Sequence, residues 1–169
     1  MKINKKKLLF VCLGNICRSP AAEGVMKSII NANKANANYE VDSAGIGNWH
    51  VGQLPDSRMR ACGLKRGYVF NSHARQFTKS DFQYFDYIFV MDQENYRQIT
   101  SQTQNEDERK KVLMLADYIT QHANVKIIAD PYYGNEKDFN NALDLIEDAC
   151  QQLFVALETD NKSTNVIWR

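Results

Sequence analysis

Long apolar runs are missing from this chain. No stretch approaches the roughly 18 residues that a membrane-spanning helix needs. A charge of one sign is missing as well. Lys and Arg total 21 against 20 Asp and Glu, a net charge of +1, which argues against a nucleic-acid protein working by bulk charge; an anion would have to be held locally. Histidine is sparse, and His50, His73 and His122 are scattered without ligand spacing. Cys12 and Cys17 form one C-x4-C pair with no second pair, a weak pattern for zinc. Neither repeats nor linker-like composition divide the 169 residues, which are too few for two ordinary domains. The 44% hydrophobic and 24% charged content is that of a globular chain and excludes disorder.

Cysteine is limited to Cys12, Cys17, Cys62 and Cys150. A chain this long buries a core without disulfides, so Cys62 and Cys150 read as small core or near-surface residues. The N-terminus sets Lys2, Lys5, Lys6 and Lys7 before an apolar run, as a signal peptide would. That run stops at Gly14-Asn15 with Arg18 close behind, and it reads as a buried first strand instead. The expected location is therefore the cytoplasm, with no membrane partner.

What is present alternates strand and helix. The continuous apolar run over 7–13 suits a parallel strand buried on both faces. A helical stripe follows Pro20 through Ala21, Ala22, Val25, Met26, Ile29 and Ile30. Further strands are expected over 39–43, 87–91 and 111–115, and a helix from Pro55-Asp56 towards Gly63 or Gly67. Phe139, Ala142, Leu143, Ile146, Cys150, Leu153, Phe154 and Leu157 give the last helix one apolar face. Residues 1–157 thus form a single α/β domain, an open parallel sheet with helices on both faces. The polar tail over 158–169 is expected to be loosely held. Such sheets bind ligands at the carboxyl ends of their strands.

The loop after the first strand reads Cys12-Leu13-Gly14-Asn15-Ile16-Cys17-Arg18-Ser19-Pro20. A Cys, five residues, Arg and Ser or Thr recur by chance roughly 0.02 times in such a composition. The spacing is physically coherent. Loop N–H groups and a helix N-terminus can converge into an anion cradle. Gly14 and Asn15 tolerate the left-handed backbone that a curling loop needs. Arg18 offers a planar fork to two phosphate oxygens. Pro20 suits the first position of a helix, where its missing N–H costs nothing. Positive potential at the start of the cradle favours the thiolate of Cys12, the nucleophilic form. Cys17 is either a filler or a partner for Cys12 in a protective reversible disulfide.

Phosphate-ester cleavage also needs an acid for the leaving oxygen. Asp130, in Asp130-Pro131-Tyr132-Tyr133-Gly134, is the candidate. Pro131 biases it to an extended backbone, and Tyr132 and Tyr133 can wall a pocket for a flat ring.

These residues resemble the low-molecular-weight protein tyrosine phosphatases. The likeness runs from about Lys7 to Leu157. It includes the block from Val11 to Glu23, Asp42-Ser43-Ala44-Gly45, Ala74-Arg75-Gln76, Phe85-Asp86-Tyr87-Ile88, Met91-Asp92 and Asp130-Pro131-Tyr132-Tyr133-Gly134. The resemblance implies a four-stranded parallel sheet and a two-step mechanism without metal or cofactor. Cys12 would attack phosphorus while Arg18 and the N–H groups of Leu13, Gly14, Asn15, Ile16 and Cys17 hold the oxygens. Asp130 would be acid, then base. Ser19 would bond the thiolate, and Asn15 with Ser43 would brace the loop. Trp49, Tyr132 and Tyr133 would select aryl phosphates. The family's usual His falls at Ser72 here, with His73 one place late, so no role is carried over to it.

Phosphotyrosine-containing proteins are then the substrates and inorganic phosphate the product, with a monomer as the default. The nearest rival is an arginine phosphatase of the same family, which carries Thr where this chain has Ile16. An arsenate reductase would need further relay thiols between Cys62 and Cys150. An inactive phosphopeptide-binding module would be expected to lose Cys12 or Asp130.

Overall fold

The computed structural model describes residues 4–122 and 124–167, with side chains up to residue 160. Four strands, β1 (Lys6–Cys12), β2 (Tyr39–Gly45), β3 (Tyr87–Val90) and β4 (Val112–Met114), form one sheet in the order β2-β1-β3-β4. Every pairing is parallel: Leu8 sits opposite Val41 on one side and Tyr87 on the other, and Ile88 opposite Val112. β1 is thus central. Leu8, Leu9, Phe10 and Val11 are fully buried, because both faces of an inner parallel strand are covered. That burial is why the strand reads as an unbroken apolar run rather than an alternation.

The covering helices divide between the faces. Leu8, Phe10 and Cys12 meet α1 (Arg18–Ala32), α2 (Ser57–Lys65) and α6 (Glu136–Ile167) through Ala22, Met26, Met59, Phe139 and Ile146. Leu9, Val11, Ile88 and Val90 meet α3 (Asp81–Tyr84) and α4 (Gln93–Thr100) through Phe82, Phe85 and Ile99. A short α5 (Glu106–Lys110) leads into β4.

α2 starts where Asp56 accepts the N–H of Arg58, as an N-cap should. α4 and α5, by contrast, carry few apolar residues and escape a periodicity reading. Side-chain caps mark their starts: Asp92 accepts from Asn95 N, and Asn105 from Glu108 N. The backbone of α6 stays helical through Ile167, over most of the segment read as a tail, while Trp168 lies outside the described residues. No helix among the described residues is long and apolar enough to cross a membrane.

This arrangement fixes the site. β1 ends at Cys12 opposite Gly45 of β2, and α1 begins six residues later at Arg18. The intervening loop is therefore pinned at both ends by buried structure.

Candidate active site

The loop between β1 and α1 turns its carbonyls outward. Cys12 O accepts from Ile46 N at 3.0 Å, Leu13 O from Gly47 N at 2.9 Å, Ile16 O from Asp56 N at 2.7 Å, and Cys17 O from Ala21 N at 3.3 Å. Among the described residues, no N–H from Gly14 through Arg18 donates to a protein acceptor. α1 also begins without a side-chain cap and without an acid in its first turn. A run of unpaired N–H groups at a helix N-terminus is a preformed anion cradle.

Two residues let the loop curl, in different ways. Asn15 takes the left-handed conformation, with φ 57°. Gly14 provides space: a Cβ there would lie 3.0 Å from His50 Cδ2. Gly45 is equally constrained, because its Cβ would meet the backbone of Gly14 at 2.9 Å and of Asn15 at 3.0 Å. The end of β2 thus presses directly on the cradle.

Beneath the loop, a hydrogen-bonded chain ends on the thiol. Asn15 Nδ2 donates to Ser19 Oγ at 2.7 Å and to Ser43 Oγ at 2.9 Å, while its Oδ1 accepts from Arg75 N at 3.0 Å. Both amide hydrogens are committed, which fixes the orientation of the amide. Ser19 Oγ, already an acceptor, is 3.0 Å from Cys12 Sγ and can donate to it. Ser19 N donates to the same sulfur at 3.4 Å. Ser43 passes its proton to Glu23 Oε1 at 2.6 Å.

Arg18 lies under the cradle and is only 2% exposed. Its Nη1 donates to Asp92 Oδ2 at 2.7 Å and to Ile128 O at 2.9 Å. Burial works against its charge, but Cys12, Asp92 and Asp130 outweigh that and raise its pKa. Nε is a buried donor with no partner, and Nη2 has only Asp130 Oδ2 at 3.6 Å. One edge of the guanidinium is therefore anchored, and the Nε/Nη2 edge is free to fork two oxygens of an oxyanion.

Asp130 stands across the pocket on the loop before α6. Its Oδ1 accepts from Tyr132 N at 3.1 Å, and its side chain is 37% exposed. Arg58 ties this loop down by donating to Tyr132 O at 3.0 Å. The cavity of about 310 Å³ is lined by Cys12, Leu13, Gly14, Ile16, Cys17, Arg18, Asp130 and the aromatic side chains of Trp49, His50, Tyr132 and Tyr133.

The structure thus brings the sequence-predicted residues together in one cavity, with Asn15, Ser19 and Ser43 directly beneath. Cys12 and Cys17 are both buried free thiols. Burial above all, then Asp56 and Cys12, pushes the Cys17 thiol far above its ordinary value. His73 is exposed. Asp42 instead bonds Arg75 Nε at 3.0 Å, and Glu23 takes Ser43 and Lys27.

Three contributors carried no sequence-based role: Asp92, which anchors Arg18; Arg58, which tethers the acid loop; and His50, whose Nδ1 is 3.1 Å from Gln53 Oε1. Asp92 sat in a recognised block, but its contact spans 74 residues of sequence. His50 adjoins Trp49, and that adjacency was its one available signal.

Known proteins resemble this chain in sequence and fold. A family model described as low molecular weight phosphotyrosine protein phosphatase matches residues 7–163. The low molecular weight phosphotyrosine protein phosphatase of Gallus gallus is 43% identical over 147 residues, covering 86% of this chain and 92% of that one. A crystal structure of protein tyrosine phosphatase from Entamoeba histolytica, with Hepes in the active site, superposes with a TM-score of 0.89 at 46% identity, covering 93% of this chain and 99% of that one. The structure of a drosophila arginine phosphatase superposes with a TM-score of 0.83 at 32% identity, covering 89% and 97%.

Proposed function

The chain belongs to the low molecular weight phosphotyrosine protein phosphatase family, and we propose that it hydrolyses phosphotyrosine in proteins, and small aryl phosphates, through a phosphocysteine on Cys12. In the first step the Cys12 thiolate attacks phosphorus and the bond to the aryl oxygen breaks. Asp130, protonated, gives its proton to that oxygen. In the second step a water attacks the phosphocysteine, Asp130 takes a proton from it, and the sulfur leaves as thiolate. Inorganic phosphate is released.

The observation that carries this reading is the meeting in one cavity of a buried thiol, a loop whose N–H groups from Gly14 to Arg18 have no acceptor among the described residues, and the unpartnered Nε of Arg18. Charge that builds on the non-bridging oxygens meets donors already in place, so little reorganisation opposes the reaction. The Ser19 hydroxyl, aimed at Cys12 Sγ, stabilises the sulfur as it leaves. Trp49, Tyr132 and Tyr133 at the mouth suit a flat aryl group whose phosphate reaches a buried floor. Four free thiols suit a reducing compartment, the cytoplasm, and a monomer is kept as the default.

Phosphoarginine is the rival substrate, since an arginine phosphatase is among the structural relatives. Ile16 lines this cavity and has no hydroxyl to orient an attacking water, which favours phosphotyrosine. The test is phosphate release from phosphotyrosine and phosphoarginine peptides, without added metal, by wild type, Cys12→Ser and Asp130→Ala. Tyrosine turnover should dominate, vanish in Cys12→Ser, and fall by about 10²–10⁴-fold in Asp130→Ala. A preference for phosphoarginine would overturn the substrate while leaving the mechanism. Binding of both peptides with no release by wild type would make this a phosphopeptide-binding module.

A further inference from the structure

The chain of hydrogen bonds that ends on Cys12 has a second end. From Ser43 it reaches Glu23, which is 4% exposed, and Glu23 Oε2 accepts from Lys27 Nζ at 2.6 Å. Lys27 lies one turn further along α1, with its side chain 54% exposed. A Glu four residues before a Lys is the favourable order for such a helical pair. Asn15, Ser19, Ser43 and Glu23 are all buried. Among the described residues, Lys27 is the one cation paired with Glu23.

We infer that Lys27 is a positioning residue for the Cys12 reaction, acting through Glu23, Ser43, Asn15 and Ser19. The donor directions carry the inference. An ionised carboxylate only accepts, so Ser43 must donate to Glu23, and its lone pairs then face Asn15. Asn15 spends one amide hydrogen on Ser43 and the other on Ser19. Ser19 is then free to give its own proton to Cys12 Sγ at 3.0 Å, the shorter of its two remaining contacts, the other being Ala44 O at 3.4 Å. A buried carboxylate without a cation would break this order in one of two ways. If it stays charged, it opposes the thiolate through a low-dielectric interior. If it takes up a proton, it no longer obliges Ser43 to donate. Lys27 prevents both, and it does so from the surface, five hydrogen-bonded links away from the sulfur.

The proposal rests on Cys12 as the nucleophile, so the experiment has one readout with turnover and one without. The first is kcat and KM for an aryl phosphate. The second is the rate at which iodoacetamide alkylates Cys12 at a fixed neutral pH, followed by mass spectrometry. Lys27→Met should lower kcat about 5-fold, leave KM within about 2-fold, and slow alkylation of Cys12 by a similar factor. Lys27→Arg should restore both rates. In a Glu23→Gln background, Lys27→Met should add nothing further, because the carboxylate it serves is gone. Unchanged kcat and alkylation in Lys27→Met would overturn the proposal. So would losses that add in the double variant, or that Lys27→Arg does not restore. If wild type alkylates normally but releases no phosphate, the phosphatase reading fails, and the alkylation series alone still decides the role of Lys27.

Discussion

The two halves of the site are built in opposite ways. The cradle, from Cys12 to Ser19, is buried apart from Leu13 and Gly14 at its mouth, and Asn15, Arg18 and Ser19 are each 3% exposed or less. The carbonyls of Cys12, Leu13, Ile16 and Cys17, the Asn15 amide and one edge of Arg18 are committed to partners. The acid loop around Asp130 is open: Tyr133 is 95% exposed, and the loop is tethered by Arg58 and a long contact to Arg18. The difference follows the chemistry. In the proposed mechanism the cradle presents the same donors to the same oxygens in both steps, so rigidity lowers the barrier. In that mechanism Asp130 gives up a proton in one step and takes one back in the next, which an open position at the mouth suits.

Changing the rigid half should therefore do the most damage. Arg18→Lys keeps a cation but loses the fork, since one ammonium cannot hold Asp92 and Ile128 O and also meet two oxygens. We expect kcat to fall about 10²–10³-fold, with inhibition by inorganic phosphate weakened as well. A loss of under tenfold would mean that the N–H groups carry the oxyanion without the guanidinium.

Asp130→Asn should discriminate the halves by leaving group rather than by phosphate. A deficit of about 10²–10³-fold on phosphotyrosine should shrink markedly on an aryl phosphate whose phenol departs without protonation. Affinity for phosphate should hold. An equal deficit on both esters would remove Asp130 from the role of acid. Gly45→Ala then probes the cradle through its neighbour. A Cβ at 2.9 Å from Gly14 backbone forces the loop to shift, which should lower kcat about tenfold and destabilise the fold by about 1–3 kcal/mol. A thermal melt and a rate measurement on the same sample check both, and an unchanged kcat would show a looser cradle than its contacts imply.

The same contrast decided what could be read in advance. The cradle is contiguous in sequence and bounded by β1 and α1, whose apolar patterns are strong, so its place in the fold was legible from a single stretch. β3 was legible as an apolar segment, β2 as a short strand stopped by Ala44-Gly45, and α6 from its stripe. α4 and α5 were not, because capping by Asp92 and Asn105 replaces apolar periodicity there. Asp92 and Arg58 gain their contacts only when folding brings distant segments together, and the role proposed for Lys27 depends on Ser43 reaching Glu23 from another element. The family's displaced histidine could be seen in the sequence, but not what replaces it. The structure puts Arg75 on Asp42, and Ser43 with Lys27 on Glu23.

The smallest effect should come from the tether of the open half. Arg58 donates to Asp56 Oδ1 at 3.0 Å and to Tyr132 O at 3.0 Å. Its guanidinium lies 4.6 Å from the Phe139 ring centroid and 5.5 Å from that of Tyr132. Tyr132 N in turn donates to Asp130, so Arg58 orients the acid through one intervening residue. Arg58→Ala should lower kcat on phosphotyrosine about 3–5-fold, as the acid spends less time aligned with the leaving oxygen. Inhibition by inorganic phosphate should be unchanged, because no cradle donor is touched. In an Asp130→Asn background the loss should disappear, since there is no acid left to orient. If phosphate affinity falls along with kcat, the two halves are mechanically coupled through Arg58, and the division between a rigid cradle and an independent acid loop is wrong.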